Sequence, residues 1–315
     1  MGIKQRRDFM KFWQQYDMVK KLMLVLMCIL VIVLIASQIN RINLNSNANP
    51  EGIETNETSY ELPAKVMTYN ILMGLEDPER EEKFVEYLTE LDVDVLALQE
   101  LNGLSPKELK TLANKYNHHY SVQLKRMGYP VGITSKYPIE VVKRLRLGLH
   151  HGALHVKIQG VNYIVVHLSP LSAEKRQKEI DYLANYLEKE NLLNQEDIII
   201  LGDFNAHSEE DSDSVDAKNM EQFYDDKNLI HGEIDYSVIS SISDYGFIDS
   251  YTYLNQKEDR YSFTYPSDNY DLRGERIDYI FVSQSLEDHI VTSEILVNDE
   301  TKAISDHFPI LLQLE

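Results

Sequence analysis

Thiols are almost missing from this chain, whose 315 residues include a single cysteine, Cys28. Cys28 lies in an apolar N-terminal run, so the rest has no disulfide, zinc-thiolate site or cysteine nucleophile. Cations are scarce too, 31 Lys+Arg against 51 Asp+Glu, a formal net charge of −20. Seven of the basic and two of the acidic residues fall within the first 41 positions, leaving 24 against 49, a net of −25, on the remainder. A surface of that sign repels phosphate backbones out to about a Debye length, roughly 10 Å. Bulk electrostatic binding of DNA is thereby disfavoured, and an anionic substrate must be drawn in locally, a bound divalent cation being the obvious means. Also absent are a G-x-S-x-G elbow, a glycine-rich phosphate loop and a dinucleotide fingerprint. No internal repeat is evident.

One long apolar run is present, Leu22 to Ala36 (LMLVLMCILVIVLIA), behind Lys20-Lys21. It is apolar all round, unlike a core helix. Its length suits a signal peptide, whose apolar core reaches ~15 residues, but Ile35-Ala36-Ser37 is a poor small-x-small cleavage site. A spanning helix needs ~20 residues, and snorkelling Lys20 and Lys21 together with Ser37 to Ile39 supply the missing length. A single-pass transmembrane anchor over 22–39 is therefore expected, with a signal segment as the alternative. The positive-inside rule then puts residues 1–21 in the cytoplasm and the rest outside, secreted if the segment is cleaved. Residues 40–62 are Asn- and Glu-rich and read as a flexible tether.

The remainder, 63–315, alternates strand-like and helix-like segments, as a layered α/β domain should. Expected strands are Lys65 to Tyr69, Val93 to Leu98, Gly132 to Ser135, Ala153 to Ile158, Tyr163 to Val166, Asp197 to Leu201, Arg276 to Val282 and Phe308 to Leu312. Expected helices are Glu79 to Leu91, a segment opened by the capping box Ser105-x-x-Glu108, and Ala173 to Lys189. The acidic segment Ser208 to Asp216 reads as a solvated loop or a helix start. At the ends of the apolar runs stand Asn70, Glu100, His167, Asp203 with Asn205, Asp278, and Asp306 with His307. A carboxylate closing a buried strand has little structural reason to be there. The set holds hard oxygen ligands, amides and imidazoles, which suits a magnesium ion, a phosphate and proton movement. His118, His119, His150, His151 and His155 cluster in pairs and read as surface or strand-edge residues, with zinc binding as the lesser alternative.

Thr68-Tyr69-Asn70, Leu98-Gln99-Glu100, Val166-His167-Leu168, Gly202-Asp203-Phe204-Asn205, Arg276-Ile277-Asp278-Tyr279-Ile280 and Ser305-Asp306-His307-Phe308-Pro309 resemble, in order, the successive motifs of the endonuclease/exonuclease/phosphatase superfamily. Gly128-Tyr129 followed by Ser135-Lys136-Tyr137-Pro138-Ile139 resembles a further stretch of it. The resemblance implies an α/β (α+β) fold, a deoxyribonuclease I-like four-layered sandwich of two mixed β-sheets flanked by helices. It implies Glu100 as principal metal ligand with Asn70 and Asp306 nearby, the ion being Mg2+, with Mn2+ or Ca2+ as alternatives. Asp203 and Asn205 would position the attacking water and a phosphoryl oxygen, and Tyr129 would contact the phosphate. Asp278 would orient His307 for proton transfer or transition-state stabilisation. His167 matches a histidine of the deoxyribonuclease and sphingomyelinase branches that protonates the leaving oxygen, which tilts the reading away from abasic-site repair.

The expected activity is thus a membrane-anchored, extracytoplasmic, magnesium-dependent phosphoesterase that is nuclease-like. A lipid headgroup hydrolase of the sphingomyelinase or phosphoinositide-phosphatase type is the alternative. Sparse basic residues in the loops count against duplex DNA, and the lack of an obvious apolar hairpin counts against lipid. A catalytically inactive membrane-tethered binding module is the rival from another class; it does not explain why Glu100, Asp203, Asp278 and His307 are all present.

Overall fold

The computed structural model describes residues 61–193, 196–214, 227–255, 263–268 and 274–315. In chain order it contains β1 (Lys65–Asn70), α1 (Pro78–Leu91), β2 (Val95–Gln99), α2 (Pro106–Lys115), β3 (Tyr120–Gln123) and β4 (Gly132–Ser135). Then come β5 (Glu140–Leu145), β6 (Ala153–Ile158), β7 (Val161–His167), α3 (Ala173–Lys189) and β8 (Ile198–Asp203). After these follow β9 (Leu229–Ile230), β10 (Glu233–Ile234), α4 (Ser237–Asp244), β11 (Phe247–Asp249) and α5 (Ser250–Leu254). The chain closes with β12 (Asp278–Ser283), β13 (Ile290–Ile295), α6 (Asp299–Ile304) and β14 (Ile310–Leu314).

Local chemistry starts and stops these elements. The Asp77 side chain accepts from Glu79 N and Pro78 fills the first turn of α1, whose Phe84 and Leu88 then fall on one buried face. The capping box at Ser105 and Glu108 is formed at the start of α2. Two six-stranded sheets result, ordered β13-β14-β1-β2-β4-β3 and β11-β12-β8-β7-β6-β5. Both are mixed, because β1–β2 and β7–β8 pair in parallel while their other neighbours are antiparallel. The sheets pack face to face, with Val66, Ala97 and Ile133 of one meeting Val156, Val165 and Ile280 of the other. Helices α1 and α2 cover the outer face of the first sheet through Phe84, Leu88, Leu109 and Leu112. Helices α3 and α4 cover the second through Ile180, Leu183, Val238 and Ile242. Each such side chain contributes ~1.5–3 kcal/mol on full burial. Strands sandwiched this way are buried on both faces, which is why VLALQ and IIILGD read as near-continuous apolar runs.

The topology gathers the motif residues at one end. Parallel pairing places the C-terminal ends of β1 and β2 together, and likewise those of β7 and β8. Their antiparallel partners β14 and β12 bring their N-terminal ends to the same place. His167 pairs with Asp203, and Asp203 with Asp278, in register across three strands. Gly202 permits the close approach, since a Cβ there would lie 2.0 Å from the Val166 carbonyl oxygen.

Two expectations change, and two elements appear that the sequence reading did not mark out. Strand β13 and helix α6 intervene between the Arg276 run and Ser305-Asp306-His307, which therefore arrives from a helix end. Asp211 is not solvated: it is buried and lies 2.7 Å from Arg276, which also pairs with Asp249 at 2.7 Å and lies 4.3 Å over the Tyr279 ring. This buried triad clamps the start of β12, two residues from Asp278. His118, His151 and His155 are buried rather than superficial; His118, for instance, bonds Thr134 Oγ1 and the Val93 carbonyl. The expected anchor and most of the tether lie in residues 1–60, outside the described residues. Among the described residues no helix is long and apolar enough to cross a membrane.

Candidate active site

Asp203 is the hub. Its Oδ1 accepts from Asn205 N at 2.9 Å, and its Oδ2 accepts from Asn70 Nδ2 at 3.1 Å. The same Oδ2 lies 3.5 Å from His167 Nε2 and 4.0 Å from His307 Nε2. On the far side of His307, Nδ1 is 2.7 Å from Asp278 Oδ2, so Nδ1 carries a proton and Nε2 faces Asp203. Asp278 is held in turn, its backbone N–H donating to Thr264 Oγ1 at 3.1 Å. Tyr265 leans on the His307 ring with centroids 4.8 Å apart.

Burial and neighbours set the protonation states. Burial, then the Asp278 charge, pushes the Asp203 carboxyl well up from its ordinary range. A carboxyl so raised is a proton acceptor poised nearer neutrality. Burial alone would lower the His307 imidazole, but the Asp278 charge and hydrogen bond, with Asp203 and Asp306, raise it overall. Burial, with the charges of His151 and His307, holds His167 well down and therefore neutral. His167 is thus suited to give a hydrogen bond, whereas the resemblance implies that it gives a proton.

Glu100 and Asp306 differ from this buried cluster in opening into a cleft of about 360 Å³ that Tyr129, His167, Asp203, Asn205 and His307 also line. Glu100 sits in the left-handed region at φ 59°, uncommon for a residue with a Cβ, and Asn205 likewise at φ 49°. Backbone Met73 N–H holds Glu100 Oε2 at 3.1 Å, which fixes the carboxylate direction. Among the described residues, Asp203, Asp278 and His307 are the acid and imidazole groups whose ligand atoms lie within 4.8 Å of one another. Their atoms are already committed to each other and to Asn70 and Asn205. Glu100 and Asp306, two carboxylates facing an open cleft, better match a divalent ion that keeps several waters.

Asn70 stands beside Asp203 and Glu100 with its amide held in one orientation. Its Oδ1 accepts from Leu72 N at 3.2 Å, and since that group can only donate, the amide nitrogen is the end facing Asp203 and Glu100. That end positions the two carboxylates. Tyr129 is at the cleft and not packed away: it is 41% exposed, edge-on to His151 at 5.3 Å and to His167 at 6.4 Å. His151, whose ring lies 4.3 Å from that of His167, was not foreseen. Neither was Glu179 on α3, buried, which accepts the backbone N–H of Ser169 at 2.8 Å and that of His150, tying together the loops that carry both histidines. A His-His-Gly sequence and one acid on an otherwise buried helical face are the only signals these left in the chain.

Comparison with known proteins places the site in context. Residues 67–307 match the family model described as Endonuclease/Exonuclease/phosphatase family. An exodeoxyribonuclease of Bacillus subtilis is 25% identical over 261 residues, 79% of this chain and 98% of that protein. Among solved structures, an AP endonuclease from Archaeoglobus fulgidus superposes with a TM-score of 0.63 at 18% identity, over 80% of this chain and 99% of the other. The 3′-5′ exonuclease NExo of Neisseria meningitidis gives 0.63 at 20% identity, with 80% and 99% covered. A NExo 3′ phosphatase bound to product DNA hairpin, from Neisseria, gives 0.59 at 19%, with 80% and 99% covered.

Proposed function

The chain belongs to the endonuclease/exonuclease/phosphatase family, and from that premise we propose that this phosphoric ester hydrolase cleaves phosphodiester bonds of nucleic acid. Enzymes of the family are in general dependent on a divalent metal. In this chain Glu100 and Asp306 would hold the ion, with Mg2+ best suited to two carboxylates and a shell of water. When bound, the ion neutralises phosphate charge and so offsets the repulsion of an acidic protein. Asp203, raised by burial, takes a proton from the attacking water, while Asn205 orients a phosphoryl oxygen. His307, kept protonated by Asp278, stabilises the charge that builds on the phosphorane-like transition state. His167, beside Asp203, and Tyr129, beyond it, give further hydrogen bonds. The observation that carries the reading is the junction of Asp203 with His167, Asn70, Asn205 and His307 at the mouth of the cleft that holds Glu100 and Asp306. An anchor at residues 22–39 would hold this activity at the outer face of a membrane, a placement supported by the apolar run and its basic flank.

The test is the full-length chain assayed in parallel on plasmid DNA, single-stranded RNA, sphingomyelin vesicles and a soluble phosphoinositide, with Mg2+ and with EDTA. Metal-dependent cleavage of nucleic acid is expected, and Glu100→Gln and His307→Ala should each remove at least about 99% of turnover. Headgroup release without nucleic-acid cleavage would replace the nuclease reading with a lipid one. Unchanged rates in both variants would overturn the site itself.

A further inference from the structure

Between Leu124 and His151 this acidic chain reverses sign: six Lys and Arg stand against one carboxylate, Glu140. Lys136 is neutralised within the molecule, 2.8 Å from Asp92 and 3.0 Å from Asp94. The other five, Lys125, Arg126, Lys143, Arg144 and Arg146, make no ion pair among the described residues. In a protein with a large excess of carboxylates, cations left unpaired and close to one another are not accounted for by folding. They repel each other and await an external anion.

Their placement is contiguous. Lys125 and Arg126 lie on the loop between β3 and β4, Arg146 on the loop between β5 and β6, and Lys143 and Arg144 on β5, an edge strand. The loops touch: Arg146 donates to the Leu124 carbonyl at 3.1 Å, and the Tyr129 ring meets His151. Burial, and after it the nearby Arg146 charge, depress the Lys125 ammonium. Each loop also projects one bare apolar side chain, Met127 at 82% exposure and Leu147 at 81%. The loops lead into the cleft through Tyr129, His150 and His151. A positive band thus runs from the edge strand to the point where Asp203 and Glu100 meet the substrate.

We propose that this band is the track along which a nucleic-acid strand is held on one side of the cleavage point. It rests on the phosphodiesterase reading above. On β5 only Lys143 and Arg144 are cationic, so the track consists of one end of that strand together with the two loops, enough for a few successive phosphates. Lys and Arg contact phosphates without reading sequence, while Met127, Leu147 and Tyr129 offer apolar and aromatic surface to sugars and bases. A linear band with two separated apolar tips fits a single polyanionic chain. An anionic bilayer is the other polyanion of suitable charge, but a band that leads into the cleft through Tyr129, His150 and His151 favours the chain that is cleaved there.

The experiment uses the full-length chain at fixed Mg2+ and compares a 20-nucleotide single strand with bis(p-nitrophenyl) phosphate, which is too short to reach the band. The variant is Lys125→Gln/Arg126→Gln/Lys143→Gln/Arg144→Gln, which spares Arg146 and its hydrogen bond. On the oligonucleotide, KM should rise by at least about tenfold with kcat nearly unchanged, and the slope of log kcat/KM against log salt should become shallower by ~3. Hydrolysis of the small diester should not change, and Arg126→Lys/Arg144→Lys should retain wild-type salt dependence. An unchanged KM and slope on the oligonucleotide, with small-diester hydrolysis intact, would overturn the track and leave the site standing. A wild-type chain inert on both substrates would overturn the site reading and the track with it. Binding to anionic vesicles that the four substitutions abolish, with oligonucleotide KM unaffected, would reassign the band to lipid and overturn the proposal.

Discussion

The substitution Asp278→Asn removes one charge and almost no volume. In the native molecule Asp278 Oδ2 lies 2.7 Å from His307 Nδ1, with both side chains buried. The amide oxygen introduced by the substitution can still accept that hydrogen bond, so His307 keeps its place and tautomer. What goes is the charge that raises the imidazole against burial. With that support gone, burial pulls the imidazole down, opposed only by the Asp203 and Asp306 charges, and a smaller fraction of it is protonated at neutral pH. Loss of a charged group acting at the transition state costs ~10²–10⁴ in rate, about 3 to 5 kcal/mol at 1.36 kcal/mol per decade. The structural cost is smaller. Asp278 Oδ1 already has no hydrogen-bond partner among the described residues, and an amide nitrogen there leaves a buried donor unmet, worth ~1–3 kcal/mol. A domain of ordinary stability survives that. The assay is kcat/KM on a small phosphodiester from pH 5 to 10, beside urea unfolding of the same preparation. A rate loss of two decades or more is expected, with the high-pH limb of the profile moved to lower pH. A folded variant within threefold of wild type with an unmoved profile would refute the role assigned to the pair.

His118 should make the fold sensitive to acid. Burial pushes its imidazole down to about 4 from an ordinary 6.5. The unfolded chain therefore takes up the proton first, and the stability that neutral His118 contributes is complete above pH 6.5 and lost as pH falls towards 4, ~3 kcal/mol in all. Urea unfolding at pH 7.5 and 4.5 should show a larger acid loss for wild type than for His118→Gln; equal losses would remove His118 from the account. Arg276→Met should leave the buried Asp211 and the partly buried Asp249 without their shared cation and cost ~3–5 kcal/mol. Thermal unfolding reads that directly, and a shift in Tm of under a degree or so would show the triad to be dispensable.

Much of the site was legible in the chain because its residues break a local rule. Glu100, Asp203 and Asp278 follow or open strands of the buried core, where an acid has no packing use, and two mixed sheets were implied by the same motif order. His150 and His151 were not legible, since what buries His151 beside His167 is a loop from one sheet lying against a loop from the other. Nor was the Arg276 triad, whose partners lie 65 and 27 residues away along the chain. The cations after Leu124 are visible in the sequence, yet whether a cation is paired is a property of space. Lys136 finds Asp92 and Asp94 across the fold, and Lys125 finds no carboxylate among the described residues.

By itself, then, the order of residues determined the class of chemistry, since hard oxygen ligands and imidazoles at the ends of apolar runs suit phosphate esters and little else. The tertiary structure decided which of those groups do which work. Parallel and antiparallel pairing brought six distant strand ends to one place, turned the nitrogen of Asn70 and not its oxygen toward the carboxylates, and left Glu100 and Asp306 facing the cleft while Asp203 was buried. The reason is physical: identity sets what a side chain can do, but burial and neighbours set its charge and direction, and those exist only once the strands have paired.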